Sequence, residues 1–186
     1  MSSPASILVV HAHPYPKRSR ACAALLQGLQ GIPGLQVRSL YDRYPDFDVD
    51  PAAEQAALAD ANLVVLLHPL YWYSVPGLLK HWLDVVFVKG WAFGEGGGAL
   101  AGKDCLWVTT TGADDMAYTS DGRHHARFAE FAAPLEHTVR YCGMAWLAPF
   151  VVHGAHLVDE EAIRESGRQL RARVDAWRAA RAGSSP

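Results

Sequence analysis

Residues 7–20 read ILVVHAHPYPKRSR, and this stretch decides how the chain folds. Its first part, Ile7 to His11, is a short apolar run, which predicts a buried strand. Beyond Ser19 the apolar residues recur with helical spacing, so the polar segment in between is a strand-to-helix loop. Such a loop ends at a helix N-terminus, where unpaired N–H groups and the helix dipole attract phosphate. The stretch therefore predicts an α/β fold with a phosphate-binding loop.

The loop offers several groups to a phosphate. Ser19 can cap the helix or donate its hydroxyl. Donors and positive charge come from His13, Lys17, Arg18 and Arg20. The loop lacks the glycines and the Gly-Lys-Ser/Thr ending of a Walker A loop, and it is not a G-x-G-x-x-G loop. The alternative is a polar loop with an ordinary serine cap.

A second stretch, residues 63–84, reads LVVLLHPLYWYSVPGLLKHWLD. Leu63 to His68 is apolar on both faces, as in a buried parallel strand, and Pro76 to Val88 has a helical pattern. Between them stand Tyr71, Trp72 and Tyr73, whose polar tips suit half-wet positions. These aromatic residues predict a wall for a flat ligand at the carboxyl end of the strand, and core packing or a subunit interface is the alternative.

Three further apolar runs predict the rest of the sheet: Val37 to Leu40, Cys105 to Thr110 and Trp146 to His153. The remaining helices are predicted from Ser19 or Arg20 to Gln30, from Pro51 onward, from about Arg127 to Cys142 and from Glu160 to Arg181, and 41–50 is predicted to be a loop. Strands and helices alternate five times, which predicts an α/β three-layer sandwich with a five-stranded parallel sheet. The flavodoxin-like order 2-1-3-4-5 suits five strands and places ligands at their carboxyl ends. Residues 1–182 are expected to form a single domain and 183–186 a disordered tail.

Composition narrows the function classes. A net charge of −2 and the absence of a Lys/Arg run argue against nucleic-acid binding. His11 and His13 could face one side of an extended segment, but no carboxylate or cysteine lies nearby, so we predict no metal site. Three cysteines without a CxxC motif, a start that lacks a basic signal region and the absence of a long apolar run predict a cytoplasmic protein.

The loop after the fourth strand carries further candidate groups. Small residues from Thr110 to Ala113 let the backbone approach a ligand, and their N–H groups could bind the pyrimidine edge of a flavin. Tyr118 and His124 add two proton donors, for which a plain surface position is the alternative. A nucleophile elbow (G-x-S-x-G) and an HExxH motif are both missing from the chain, which argues against a hydrolase or a zinc enzyme.

Segments spread along the chain in a fixed order carry a family resemblance. They are HAHPYP (11–16), SLY (39–41) with YPDF (44–47), AEQ (53–55), HP (68–69) with WYS (72–74), Pro76 with LLK (78–80), GWA (90–92), TTG (110–112), YCG (141–143) and PF (149–150). The chain resembles the flavodoxin-like NAD(P)H:quinone oxidoreductases, and most of all the ancillary flavoproteins of glutathione-gated potassium-efflux systems.

The resemblance implies a flavin site and its residues. The phosphate would be bound by His13, Ser19, Arg20, Ala21 and Cys22; the isoalloxazine would lie against Leu70, Tyr71, Trp72 and Tyr73; its other polar edge would meet Thr110, Thr111, Gly112 and Ala113; and the catalytic pair would be Tyr118 and His124. Many relatives have glycine where Ala113 stands, so we expect the loop backbone to differ locally. The stretch from Asp114 to His125 is more like that of the general quinone reductases, which leaves a standalone enzyme open as well as a transporter subunit.

These observations predict two-electron, ping-pong reduction of a quinone or another small electrophile, with NADPH or NADH as the hydride donor. FMN is the expected flavin and FAD the alternative. The resemblance also implies a homodimer, in which the apolar region from Trp82 to Phe93 forms part of the interface. The alternative is a regulatory subunit of a potassium-efflux transporter, with flavin as redox sensor, bound peripherally at the cytoplasmic face of the inner membrane.

Overall fold

Five parallel strands form one sheet in the order β2-β1-β3-β4-β5 in the computed structural model, which describes residues 5–183. The strands are β1 (Ile7–His11), β2 (Leu35–Ser39), β3 (Leu63–Pro69), β4 (Asp104–Thr110) and β5 (Ala145–Val152). The predicted fold class and strand order are confirmed. Every carboxyl end therefore lies at the same edge of the sheet, with β1 and β3 side by side at the point where the strand order reverses.

Helices cover both faces of this sheet. They are α1 (Arg20–Leu29), α2 (Leu40–Arg43), α3 (Pro51–Asp60), α4 (Gly77–Val86), α5 (Phe128–Tyr141) and α6 (Glu160–Gly183). Alternate side chains of each strand point to opposite faces. In β1, Leu8 and Val10 pack into the core under α3, α4 and α5, whereas Ile7 and Val9 pack under α1 and α6. The result is the expected three-layer sandwich.

The helices α1 and α6 pack closely because two glycines face each other. A Cβ atom added to Gly28 would lie 2.3 Å from the carbonyl oxygen of Gly167. Because a backbone oxygen cannot move away as a flexible side chain could, the close approach of these helices requires glycine at positions 28 and 167. The helix α6 runs to Gly183, and residues 184–186 of the expected tail lie outside the described residues. Within residues 5–183, no helix combines the length and the apolar character needed to cross a membrane.

Two predictions around β2 were wrong. The strand spans Leu35–Ser39 instead of Val37 to Leu40, and Leu40 begins the short helix α2, which continues into the segment predicted to be a loop. β2 lies at the edge of the sheet, so its extent is decided by backbone pairing with β1, from Leu35 opposite Ile7. Leu40 is fully buried, and the helical turn carries it into the core. Short 3₁₀ helices, Pro16–Arg18 and Asp115–Tyr118, also lie in segments that were predicted to be loops.

A buried carboxylate joins β2, α3 and α4. Glu54 is fully buried, and its two oxygens accept hydrogen bonds from Nε of Arg38 at 2.9 and 3.0 Å. The hydroxyl of Tyr44 donates to the same carboxylate at 2.5 Å, and the indole N–H of Trp82 donates at 3.0 Å. Burial, and then the hydrogen bond to Glu54, raise the pKa of Tyr44. The network holds the segment after β2 against α4.

Candidate functional site

A small pocket lies at the carboxyl edge of the sheet, where the loop after β1 meets α1. Its volume is about 230 Å³. It is lined by His13, Tyr15, Arg18, Ser19, Arg20, Ala21, Pro69, Leu70, Tyr71, Thr110, Thr111, Gly112, Ala155 and His156. The structure therefore brings together residues that follow four different strands, as expected for a parallel sheet whose carboxyl ends meet at one edge.

The N-terminus of α1 presents unpaired donors to this pocket. Ser19 caps the helix, since its hydroxyl oxygen accepts a 3.1 Å hydrogen bond from the N–H of Cys22. Among the described residues, no acceptor meets the N–H groups of Arg20 and Ala21. Two N–H groups at a helix N-terminus, beside the positive end of the dipole, make a phosphate-binding site.

His13 is oriented by the backbone of its own loop. Its Nδ1 accepts a 3.0 Å hydrogen bond from the N–H of Tyr15, so in the neutral ring the proton is on Nε2. Burial lowers the pKa of His13, which favours that neutral form. The ring also meets Tyr71 edge-on, at 6.3 Å between centroids. His13 is therefore arranged as a neutral donor at the pocket.

Two other candidates of the phosphate loop stand apart from the pocket. The N–H of Cys22 is used by Ser19, and its buried thiol lies 3.9 Å from the hydroxyl of Thr110. Lys17 does not line the pocket. The guanidinium of Arg20 donates to the carbonyl of Val158 at 3.4 Å, which connects the phosphate loop to the segment after β5.

The aromatic loop after β3 is a tight hairpin. Tyr71 and Ser74 exchange two backbone hydrogen bonds of 3.0 Å, and the residues between them, Trp72 and Tyr73, have φ angles of +47° and +61°. Positive φ at both central residues is typical of a type I′ turn, where asparagine and glycine are preferred. Large side chains are strained there, and residues held in such strain cluster at functional sites.

The turn leaves two adjacent donors unpaired at the rim. No hydrogen bond of the described chain uses the N–H of Trp72 or of Tyr73. The hairpin is anchored on one side by the N–H of Leu70, which donates to the carbonyl of Thr110 at 2.8 Å. On the other side, the ring of Tyr73 stacks on Phe131 of α5 at 5.0 Å. Trp72, with 92% of its surface exposed, is free to meet a ligand or a second chain.

The predicted catalytic residues lie together beside this hairpin. The rings of Tyr118 and His124 are 4.6 Å apart, and Nδ1 of His124 lies 3.2 Å from the hydroxyl of Tyr73. Burial raises the pKa of Tyr118, and the positive charge of Arg123 partly opposes this shift. The plain surface position left open for Tyr118 does not apply, because this side chain is buried.

The loop after β4 is closed by hydrogen bonds to the segment after β5. The carbonyl of Ala113 accepts from the N–H of Gly154, and that of Thr111 accepts from the N–H of Ala155, both at 2.8 Å. Ala113 itself has no positive φ, so alanine is accommodated without backbone strain. Asp114 then caps the 3₁₀ helix by accepting from the N–H of Ala117.

Two histidines of this site were missed in the sequence. His153 directly follows β5, and its Nδ1 lies 3.1 Å from the hydroxyl of Thr111, which itself donates to the carbonyl of Ala113 at 2.7 Å. His153 therefore donates to Thr111. His156 lines the phosphate pocket next to Gly112. The available signal was their position after the fifth strand, because every strand ends at the same edge.

A larger, mostly apolar groove of about 840 Å³ begins at the hairpin and runs between α4 and α5. Its lining includes Tyr73, Leu83, Phe87, Phe93, Phe131 and Leu135. Nowhere in residues 5–183 do three His, Cys, Asp or Glu side chains come together as a metal site would require.

Comparisons with known proteins agree with this geometry. A family model described as a flavodoxin-like fold matches residues 5–174. The glutathione-regulated potassium-efflux system ancillary protein KefF of Enterobacter sp. (strain 638) is 44% identical over 171 residues, which cover 92% of this chain and 96% of that protein. The resemblance drawn from the sequence is confirmed.

Two solved structures are similar over nearly the whole chain. General stress protein 14 of Treponema denticola, in complex with FMN, has a TM-score of 0.86 at 33% identity and covers 92% of this chain and 98% of its own. An NADPH-quinone reductase of P. pentosaceus has a TM-score of 0.82 at 26% identity and covers 89% and 95%.

Proposed function

The chain belongs to the flavodoxin-like family, and from this premise we propose that it is a flavin-dependent NAD(P)H:quinone oxidoreductase. The observation that carries the proposal is the pair of unpaired N–H groups at Trp72 and Tyr73, held at the same rim as the unpaired N–H groups of α1. A flavin mononucleotide has acceptor atoms on its ring edge and a phosphate at its other end. The N–H groups of Trp72 and Tyr73 would donate to the ring edge, and those of α1 would donate to the phosphate.

FMN is the flavin that the phosphate pocket supports best. A volume of about 230 Å³ suits a phosphate and part of a ribityl chain, while FAD would need further room for its adenosine diphosphate. The FMN complex of the Treponema denticola relative supports the same choice. FAD stays the alternative.

Each group at the rim has a task in binding the flavin. Nε2 of His13 and the N–H groups of Arg20 and Ala21 donate to the phosphate. Trp72 and Tyr73 donate through their backbone to the ring edge, beside the aromatic wall that Tyr71 extends. At the opposite edge, beside Thr110 and Thr111, the backbone N–H groups of Gly112 and Ala113 are not used by any hydrogen bond of the described chain and would donate to the ring. The thiol of Cys22 lies 3.9 Å from the hydroxyl of Thr110.

The redox step uses this arrangement. A flavin bound here would supply the redox chemistry, two-electron transfer from NADPH or NADH to a quinone or another electrophile in ping-pong turnover. Tyr118 and His124 donate hydrogen bonds toward the negative charge that develops during hydride transfer. His124 can also supply a proton from its ring.

A second copy of the chain completes the site. The groove between α4 and α5 opens directly beside the hairpin and is lined by Tyr73, Phe87 and Phe93. A fully exposed tryptophan and an apolar groove of this size are typical of an interface. We therefore include a homodimer in the proposal. A species that stays monomeric at all concentrations and is fully active would contradict it.

A second candidate function rests on the KefF relative. The chain would then be an ancillary subunit of a potassium-efflux transporter and would attach peripherally at the cytoplasmic face of the inner membrane, with flavin as redox sensor. Both roles can coexist in one protein. Co-purification with a transporter from cells of the source organism would favour the ancillary role.

The decisive experiment is an absorbance spectrum of the pure protein before and after anaerobic addition of NADPH. We expect the two visible bands of oxidised flavin, their loss with NADPH and their return with menadione. A colourless protein that also fails to take up added FMN or FAD would overturn the proposal. A flavin that is bound but reduced by neither NADPH nor NADH would leave a sensor role instead.

A further inference from the structure

We infer that Tyr73 is a positioning residue for His124: its hydroxyl holds the imidazole so that Nε2 carries a proton and stays free for a ligand. The hydroxyl lies 3.2 Å from Nδ1 of His124, and the two rings meet edge-on at 5.3 Å between centroids. The inference deepens the proposed function, since the ligand would be an acceptor atom of the flavin or of the bound quinone.

The direction of the hydrogen bond follows from the two groups. A phenol O–H is a better donor than a neutral imidazole N–H, and a bare imidazole nitrogen is a better acceptor than a phenol oxygen. Tyr73 therefore donates and Nδ1 of His124 accepts. The partner of one ring nitrogen decides which nitrogen is protonated, so the proton of neutral His124 is on Nε2.

The other nitrogen of His124 lacks a partner. Its Nε2 is a buried atom without a hydrogen bond anywhere in the described residues. The ring of Tyr118 lies beside the imidazole, with 4.6 Å between the two centroids. A buried donor without an acceptor costs free energy. That cost is recovered when an acceptor atom arrives, which favours binding of a ligand with an oxygen or nitrogen acceptor at this point.

The tyrosine is itself held firmly enough to act in this way. Its ring stacks on Phe131 of α5 at 5.0 Å with 22° between the planes. Its backbone has a φ of +61°, fixed by the bonds between Tyr71 and Ser74. One residue therefore offers a backbone N–H at the rim and orients the neighbouring histidine. Tyr73→Phe removes only the hydroxyl and keeps the stacking.

The first test reads the tautomer directly and needs no flavin. In ¹⁵N-histidine-labelled apoprotein, long-range ¹H–¹⁵N correlation spectra distinguish protonated from bare ring nitrogens, and His124→Gln identifies the signals. We expect a protonated Nε2 in the wild type and a mixture of tautomers in Tyr73→Phe. Tyr141→Phe, at the exposed end of α5, is the control and should leave the signals unchanged. A protonated Nδ1, or signals that do not respond to Tyr73→Phe, would overturn the inference.

The second test is a double-mutant cycle on flavin reduction by NADPH. We expect Tyr73→Phe to slow reduction by roughly 5- to 50-fold at unchanged FMN affinity, because a loosely held ring is misplaced for much of the time. The double variant with His124→Gln should be no slower than His124→Gln alone. If the double variant is slower than His124→Gln by the same factor that Tyr73→Phe alone causes, the inference is overturned. A wild-type protein that NADPH does not reduce would instead contradict the proposed function, and the tautomer measurement would still decide the role of Tyr73.

Discussion

The indole N–H of Trp107 donates a 2.7 Å hydrogen bond to Nε2 of His68, across the join between β4 and β3. The proton of His68 is therefore on Nδ1, which donates to the carbonyl of Pro69 at 2.9 Å. His68 is fully buried, and burial lowers its pKa to about 4. A neutral histidine thus supports the strand end from which the Tyr71–Ser74 hairpin starts.

This relationship predicts acid-sensitive folding. Burial also lowers the pKa of His11 to about 4, and the positive charge of a protonated His13 adds to the effect. Between pH 6.5 and pH 4 the unfolded chain binds more protons than the folded one, so stability falls as the pH falls. Each histidine contributes about 3 kcal/mol that is present above pH 6.5 and lost by pH 4.

Denaturant titrations at a series of pH values measure this loss. His68→Gln, which keeps a hydrogen-bond acceptor but cannot titrate, should remove a clear part of the pH dependence. His137→Gln, at an exposed position of α5, is the control and should leave the dependence unchanged. A stability that does not change between pH 6.5 and pH 4.5 would contradict the neutral state of both buried histidines.

Glu54→Ala should lower the free energy of unfolding by about 3–5 kcal/mol, because it leaves Arg38 buried without a counter-ion. Glu54→Gln should cost less, since the amide oxygen still accepts from Tyr44 or Trp82. Urea or guanidinium denaturation gives both values. Glu165→Ala, which removes a solvent-exposed ion pair on α6, is the control and should hardly move the midpoint. Equal midpoints for Glu54→Ala and the wild type would show that the network does not stabilise the fold.

Trp72→Asn should stabilise the apoprotein by about 0.5–1 kcal/mol, since asparagine tolerates the positive φ and the exposed indole loses few contacts. The same variant should bind FMN more weakly, because the aromatic wall is shortened. Met116→Asn, also exposed but without a positive φ, is the matched control and should bring no gain. Denaturation of the apoproteins and FMN titration test both effects, and a destabilised Trp72→Asn would argue against strain in the turn.

His13→Ala should weaken FMN binding by roughly 10- to 100-fold, the loss of one hydrogen bond to a charged phosphate. Because Nδ1 of His13 accepts from Tyr15 and burial lowers its pKa, the residue should bind as a neutral donor. Calorimetry at pH 8 in two buffers with different ionisation enthalpies should then give the same binding enthalpy. Uptake of about one proton per FMN, absent in His13→Ala, would contradict the neutral state.

Tyr118→Phe combined with His124→Gln should slow hydride transfer to the flavin by about 10- to 1000-fold while FMN stays bound. The reason is the loss of both side chains that donate toward the developing charge. Stopped-flow absorbance under anaerobic conditions measures the rate, and the spectrum of bound flavin serves as the control for cofactor retention. An unchanged reduction rate would exclude both residues from the reaction.

The layout of this protein could be predicted from its amino-acid sequence. The continuous apolar runs from Ile7 to His11 and from Leu63 to His68 identified buried parallel strands, because apolar residues on both faces are needed between two helix layers. The rule that crossover connections are right-handed excludes most of the possible strand orders. In a parallel sheet, the carboxyl ends of all strands lie at one edge. The phosphate loop, the aromatic loop and the Tyr118 loop could therefore be assigned to one rim before any contact was known.

The pairing of the groups at that rim could be seen only in the folded chain. Tyr73 and His124 are 51 residues apart, and their hydrogen bond depends on a turn closed by Tyr71 and Ser74 and on a ring stacked against Phe131. The positive φ values of Trp72 and Tyr73 carry no local signal, because neither residue favours them and the surrounding structure imposes them. The tautomer of His124 likewise depends on Tyr73, its hydrogen-bond partner from another loop. Such pairings depend on the paths of two loops that are distant in the sequence. A local sequence pattern in one loop carries no information about the path of the other.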